Sequence, residues 1–347
     1  MTAPRALDLS KPALGDLGRR VVDANSVGER VRDYRALSDN VDDPRLAARR
    51  RAYLNVVNHY FDLVTDFYEY GWDQAFHFAP RYAGETFRES LRRHEHYLAL
   101  RLGLQPQETV LDVGCGIGGP MRTLASFAHV DIVGVNNNDY QLRRAQALNA
   151  AAALEHRCRL LKGDFMAIPL PDASVDKAYA IEATVHAPSL EQVYREIRRV
   201  LRPGGLFATY EWCMTDRYDP ADPTHRALKD GIVVGGGLPD MGTRSDVVAA
   251  LDAAGFELLF QEDCGAVGDV PWYEPLAPHR LTPATFRSSP IGRRVTGGLL
   301  KVLEALHLVP RGTTAVAKLL DEAARVMVAA GKAELFTPAF LAVARKI

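Results

Sequence analysis

The chain has 347 residues, is 47% hydrophobic and carries a net charge of -1, which suits one large domain or two modest ones with a sizeable core and gives no reason to expect a nucleic-acid partner. No apolar run approaches the roughly 20 residues that span a bilayer, and the first residues hold no signal-peptide core. The four cysteines, Cys115, Cys158, Cys213 and Cys264, show neither a CxxC spacing nor a disulfide framework, so a reduced, cytoplasmic compartment is the default.

Residues 1–51 are polar and charged, with Ser38-Asp39-Asn40 and Asp42-Asp43-Pro44, and read as a partly disordered segment or as peripheral helices. Residues 52–104 are helical in pattern and unusually aromatic; within them His94 and His96 read as surface residues of a helix. From 105 to 261 strands and helices alternate, the signature of a parallel α/β sheet. The strands are expected at Thr109–Val113, Asp131–Val135, Cys158–Lys162, Lys177–Ile181, Leu206–Glu211 and Phe256–Gln261. Between the fourth and fifth, Ser189 and Gln192 form a capping box. Leu190, Val193, Ile197, Val200 and Leu201 make the helical stripe, and Pro203 with Gly204-Gly205 ends it. Another helix is expected from Ser245 to just before Gly255. Residues 212–244 and 262–337 exceed what such a sheet requires and are long enough to cover a substrate. The last region, 262–347, ends in a strand at Phe340–Arg345.

The run Leu111-Asp-Val-Gly-Cys-Gly-Ile-Gly-Gly-Pro120 reads as a buried strand entering a glycine turn, followed by a helix at Met121–Phe127. Glycine lets a ligand lie against bare backbone, and the helix N-terminus favours anionic groups. Ligands of open α/β sheets sit beyond the carboxyl ends of the strands. The first strand brings Asp112, Gly114, Gly116 and Gly118 there. The second brings Asn136 and Asn137, with Asp139 close behind. An asparagine both donates to and accepts from a hydroxyl, so Asn136 suits a ribose. The third brings Gly163, Asp164 and Phe165, a carboxylate for an adenine amino group beside a ring to pack on it. A nicotinamide dehydrogenase would want an acid at 136 and none at 112.

This acid-then-glycines turn resembles the S-adenosylmethionine (SAM) site of class I methyltransferases. Further runs are more specific: Phe67-Tyr-Glu-Tyr-Gly-Trp72 with Phe76-His-Phe78, Asn136-Asn-Asn-Asp-Tyr140, Tyr179-Ala-Ile-Glu-Ala-Thr-Val-His-Ala-Pro188, Tyr210-Glu-Trp212 and Val270-Pro-Trp-Tyr273. Together they resemble the sterol 24-C-methyltransferases, from about residue 52 to the C-terminus. The resemblance implies a Rossmann-like, mostly parallel seven-stranded sheet with an antiparallel last hairpin, and helical substrate-covering elements at both ends. It also implies SAM as cofactor, held by Asp112, Gly114, Cys115, Gly116, Gly118, Asn136, Asn137, Gln141, Gly163, Asp164, Phe165 and Glu182. Two departures stand out: Asp73 and Ala75 stand where the family's aromatic motif usually continues with glycine and then a serine or similar small residue, and a Gly-Asp-Gly run common in the family appears as Gly235-Gly236-Gly237.

The implied reaction adds a methyl to a side-chain double bond, at carbon 24, through a carbocation quenched by deprotonation. Residues 60–78 concentrate eight aromatic side chains whose ring faces attract cations and line apolar pockets. Tyr68, Tyr70, Trp72, Phe76, His77, Phe78, Tyr179, Trp212 and Trp272 are the expected sterol contacts. Glu182, His186 and Glu69 are the candidate bases or cation stabilisers, with Tyr68 and Tyr70 beside them; a carboxylate in an apolar pocket has its pKa raised, which suits a base. Glu211 is a weaker candidate, and no metal site is expected. SAM enzymes acting on another lipid alkene or a tocopherol-like phenol stay open as alternatives, as does a non-catalytic SAM- or sterol-binding protein. Apolar residues at helical spacing over Leu299–Val309 point to a lid or to a membrane contact. A homo-oligomer is compatible with the resemblance.

Overall fold

The computed structural model describes residues 11–17, 53–278 and 286–347; of the expected segment 1–51, all but 11–17 lies outside them. Among the described residues, the first two α-helices are α1 (Tyr53–Gly71) and α2 (Phe87–Leu102). An α/β alternation follows: β1 (Thr109–Val113), α3 (Gly119–Ala128), β2 (Asp131–Asn136), α4 (Asp139–Ala151), β3 (Cys158–Lys162), β4 (Val175–Ile181), α5 (Leu190–Val200) and β5 (Leu201–Met214). The chain continues through α6 (Pro223–Gly236), α7 (Arg244–Ala253), β6 (Phe256–Asp263), α8 (Pro290–Ala305), α9 (Thr313–Lys332) and β7 (Phe336–Lys346).

The strands form one seven-stranded sheet in the order β3-β2-β1-β4-β5-β7-β6. The first five run parallel, and β7 lies antiparallel between β5 and β6. This is the expected fold, with one refinement: β6 and β7 are joined not by a tight turn but through the segment that carries α8 and α9. The strand order reverses between β1 and β4, so the carboxyl ends of β1, β2 and β4 open a crevice, the usual ligand position in such sheets. One layer of core pairs α5 and α7 with the sheet, including Val193, Ile197, Leu251 and Phe207. The opposite layer buries Leu98, Leu102, Met121 and Leu124 of α2 and α3.

Ser189 caps α5 by accepting from the Gln192 N–H. The segment after α5 differs from expectation. Pro203-Gly204-Gly205 does not end the helix in a loop; the chain turns extended at Leu201 and pairs with Val175, the glycines falling where the register with β4 shifts. Likewise β7 begins at Phe336, four residues early, because Phe336 and Thr337 pair with Met214 and Cys213 of the lengthened β5. A third apolar cluster lies off the sheet: Tyr60, Leu63, Val64 and Phe67 of α1 pack with Leu300 of α8 and Val316 and Leu319 of α9. The N-terminal helix and the late insertion therefore share one core above the crevice.

Candidate active site

Two cavities meet in that crevice. The first is lined by Asp112, Gly114, Cys115, Gly116, Asn136, Asn137, Gln141, Phe165 and Glu182, with Val57 and Phe61 of α1 as its roof, and holds about 770 Å³ of empty space with its open mouth included. Its floor is the glycine turn. Gly114 has φ +77, and a Cβ there would stand 2.7 Å from the Ala183 Cβ. Gly116 (φ +54) faces open space, the bare backbone a ligand can lie against. A Cβ on Gly119 would sit 2.3 Å from the Gln74 carbonyl oxygen, so the loop after α1 closes directly onto the start of α3.

Asp112 is buried, accepts from the Tyr179 hydroxyl at 2.8 Å, and is pushed up to about 7 by burial. A cation beside it would draw out its charged form. The Asn136 amide donates to Gln141 Oε1 at 2.9 Å, and the Gln141 amide donates to Thr65 Oγ1 at 3.1 Å, leaving the Asn136 carbonyl oxygen for a ligand hydroxyl. Gly163 and Asp164 line a neighbouring polar groove that meets the cleft at Asn137; there the Tyr53 hydroxyl donates to Asp164 while the Tyr53 ring stacks on Phe165. Gly118 (φ +75) stands at the N-cap of α3, outside the lining. Asp139 is at the surface, 2.5 Å from the Lys162 ammonium, and does not reach the cleft. The donors, open backbone and flanking ring fit an adenosyl amino acid such as SAM.

The second cavity is apolar, holds about 1200 Å³ of empty space with its open mouth included, and is walled by Tyr60, Phe67, Tyr68, Tyr70, Trp72, Phe78 and Trp212 on one side and by α8 and α9 on the other. Its lining of aromatic and aliphatic side chains suits an apolar ligand. Five residues line both cavities: Phe61, Phe76, His77, Glu182 and His186. The two spaces are thus continuous at Glu182.

Glu182 follows β4 with φ +52, a conformation costly for a non-glycine residue and concentrated at functional sites. Its carboxylate accepts from the Phe78 N–H at 2.6 Å and from the Trp212 Nε1–H at 2.7 Å. Burial pushes it up to about 8 despite these donors and the neighbouring His77. His186 is lowered to about 4 by burial, so its ring is neutral; its Nδ1 donates to the Gly237 carbonyl at 3.3 Å, leaving Nε2 as the acceptor. His77 Nδ1 donates to the Phe78 carbonyl at 2.7 Å, and Nε2 meets Glu95 at 3.1 Å. Burial opposes a charge on His77, but Glu95 outweighs it and the pKa is raised. The Tyr60 hydroxyl donates to the Gly235 carbonyl at 3.0 Å, so Tyr68 donates to Tyr60 at 2.5 Å. Burial pushes Tyr68 up to about 12, which keeps it a neutral phenol.

Four expected residues stand elsewhere. Glu69 lines neither cavity; its carboxylate is fully buried in a two-pronged pair with Arg144, at 2.6 and 3.0 Å. Tyr179 is the register partner of Asp112 on the adjacent strand, so its side chain lies beneath the cofactor turn and not in the apolar cavity. Trp272 sets its ring against Phe78 and Phe336 and supports the wall from behind. Glu211 is buried behind the turn at 184–186, taking hydrogen bonds from Thr184 and Tyr194. His94 corrects the surface reading: it is buried and stacked 3.7 Å from Tyr210. His96 is half-buried on Phe127.

Sequence reasoning missed the wall supplied by Arg287, Thr296, Leu320 and Met327, and the lattice that joins α1 to α4. Asp62, Thr65, Asp66 and Glu69 meet Asn138, Gln141, Tyr140 and Arg144 in that order. Their i, i+3, i+4, i+7 spacing places them on one face of α1, a signal that could have found it.

Residues 111–209 match the family described as a methyltransferase domain, and residues 284–346 match the sterol methyltransferase C-terminal family. The cycloartenol-C-24-methyltransferase of Arabidopsis thaliana is 47% identical over 86% of this chain and 89% of its own length. The sterol 24-C-methyltransferase of Yarrowia lipolytica is 48% identical over 88% of this chain and 82% of its own. Among solved structures, the cyclopropane synthase MmaA2 from Mycobacterium tuberculosis superposes with a TM-score of 0.66 at 18% identity, covering 84% of this chain and 98% of that one. The geranyl diphosphate C-methyltransferase from Streptomyces coelicolor gives 0.54 at 16%, covering 75% and 81%; both share the fold. With nearly half its residues identical to these relatives along most of its length, and with a cleft shaped for SAM opening into an apolar cavity, the chain belongs to the SAM-dependent sterol 24-C-methyltransferase family.

Proposed function

We propose that the chain methylates the side-chain double bond of a sterol at carbon 24, with the ring system in the apolar cavity and the alkene at Glu182. The observation that carries this reading is the continuity of the two cavities at Phe61, Phe76, His77, Glu182 and His186. Residues 52–104 and 262–347 act as the substrate cover and 105–261 as the SAM-binding core.

SAM supplies an electrophilic methyl on a positively charged sulfur. Asp112 and Asn136 hold the cofactor's polar groups, and Phe165 packs on its adenine. The aromatic wall aligns the alkene, a weak nucleophile, and alignment is where much of the rate arises. The π electrons would form the new carbon–carbon bond to that methyl as its bond to sulfur breaks, the sulfur keeping the bonding pair and leaving as neutral S-adenosylhomocysteine, and positive charge develops on the neighbouring side-chain carbon. Glu182 is poised for it: neutral in the empty, buried site, it ionises when cationic charge is brought beside it, because opposite charge favours the carboxylate. Fixed by Phe78 and Trp212, the carboxylate stabilises the cation without reorganising. Trp72, Phe76 and Phe78 add ring faces, each worth up to about 2 kcal/mol when dry. The walls exclude water that would otherwise trap the cation. A proton then leaves the adjacent carbon, its electrons closing the new double bond, and Glu182 accepts it; neutral His186, a weaker base, orients the alkene. Glu69 is assigned a positioning role, clamping α1 over the cofactor through Arg144.

The test is an assay with methyl-labelled SAM and a panel of sterols bearing side-chain alkenes, read by gas chromatography–mass spectrometry. A labelled sterol with one extra side-chain carbon is expected. Transfer to no sterol, with SAM still bound, overturns the substrate and moves the search to other lipid alkenes and phenols.

A further inference from the structure

Among the described residues no helix is long and apolar enough to cross a membrane, yet α8 presents to solvent what a soluble helix normally buries. Ile291, Val295, Leu299, Val302 and, just past its end, Leu306 are each 46–61% exposed. At 3.6 residues per turn they fall within a sector of about 80°, one continuous stripe. Phe286 and Leu308 extend it at the two ends, both exposed. Scattered single apolar residues need no explanation, but a contiguous patch marks an interaction surface.

The chemistry around the stripe narrows the partner. Arg294 and Lys301 flank it along one side, both exposed. The one acid of α8, Glu304, is turned away, accepting from the Gly312 and Thr314 N–H groups at 2.8 and 2.9 Å. An apolar stripe bordered by cations and free of carboxylates matches the boundary between acyl chains and anionic headgroups. The other side of the same helix faces the apolar cavity: Arg293 and Thr296 line it, together with Ser288 and Arg287 just before the helix. Arg287 is exposed, its guanidinium 4.5 Å over the Tyr70 ring, so the cavity reaches the surface beside the stripe.

We propose that the exposed face of α8 docks on an anionic lipid bilayer and sets the cavity mouth at Arg287 and Thr296 against it, so that sterol moves from membrane to cavity without crossing water. This rests on the sterol reading of that cavity. Ile291, Val295, Leu299, Val302 and Leu306 enter the acyl boundary, Arg294 and Lys301 pair with lipid phosphates, and α8 lies parallel to the surface.

The experiment uses the full chain and sterol-free vesicles of phosphatidylcholine, with or without phosphatidylglycerol. The expected result is co-sedimentation that is stronger with phosphatidylglycerol. The exposed pair L299D/V302D is expected to weaken it by at least about tenfold, as removing apolar area from the bilayer implies, and R294E/K301E to abolish the preference for anionic lipid. Turnover of sterol embedded in vesicles falls in step for L299D/V302D, while turnover of sterol delivered by cyclodextrin stays at the wild-type rate. Absence of wild-type vesicle binding, or binding unchanged in L299D/V302D, overturns the proposal. So does a wild-type oligomer in light scattering that L299D/V302D dissociates, which would make the stripe a contact between copies. Vesicle binding with no sterol turned over in either format would instead overturn the substrate reading and the transfer route with it, since docking is scored without sterol.

Discussion

The two cavities that meet at Glu182 are built on different principles. The cofactor cleft comes largely from short consecutive runs at strand ends, 112–117, 136–141 and 181–186, and it works through individual polar atoms and bare backbone. The apolar cavity is assembled from α1, the loop after it, β5, α6, α8 and α9, and works through shape. Helix α1 belongs to both. One of its faces, Asp62 to Glu69, is pinned to α4 by hydrogen bonds and a buried ion pair; another, through Leu63, Val64 and Phe67, melts into the core of α8 and α9. A cationic, hydrophilic cofactor needs fixed partners, whereas a rigid apolar ligand needs a surface that excludes water. One helix serving both makes the cofactor's roof a part of the sterol's wall.

The largest effect is expected where that shared wall is fastened. Glu69→Ala removes the buried carboxylate of the two-pronged pair with Arg144, a loss of about 3 kcal/mol or more; chemical denaturation measures it, and a stability equal to wild type would mean that α1 is not fastened there. Glu182→Gln keeps the shape but removes the charge at the junction. Turnover should fall by about 10²–10³-fold, a larger loss than that in SAM affinity by calorimetry, where only the attraction between the carboxylate and the sulfonium is removed. Equal losses in both would assign Glu182 to the cleft alone. Asp112→Ala sharpens the contrast from the other side: SAM binding weakens by about a hundredfold, whereas sterol binding in the absence of cofactor is unaltered. Trp72→Phe is the mildest, costing about threefold to tenfold in sterol turnover through a weaker ring face and nothing in SAM affinity.

The junction also has a pH signature. Glu182 sits at about 8 in the empty fold against an ordinary 4.5, so the folded state binds its proton more tightly than the unfolded chain. That contribution to stability is complete below pH 4.5 and is lost as pH rises through about 8. Melting curves of the cofactor-free protein should decline across this window, and Glu182→Gln should lessen the decline, leaving the share of Asp112 and Glu211, which burial also pushes up to about 7. A saturating SAM analogue with a charged sulfonium should shift the window downward.

The sheet and the cofactor turn were legible in the chain because their determinants are local. Alternating apolar runs set the strands, and the acid and glycines of 112–118 adopt their turn whatever lies far away. The aromatic cluster and Glu182 were legible as chemistry, but their placement was not. Nothing near Tyr179 or Trp272 says that one lies beneath the cofactor and the other behind the wall, since strand register and helix packing decide which way a ring points. Glu69 looked like a base because its partner Arg144 is distant in sequence, and His94 looked exposed because Tyr210, which covers it, lies on another element. Sequence by itself determined the fold class, the cofactor and the type of side chain available to a carbocation. Tertiary structure alone decided which of those side chains reach the junction, because burial, pairing and pKa depend on neighbours brought together only by folding.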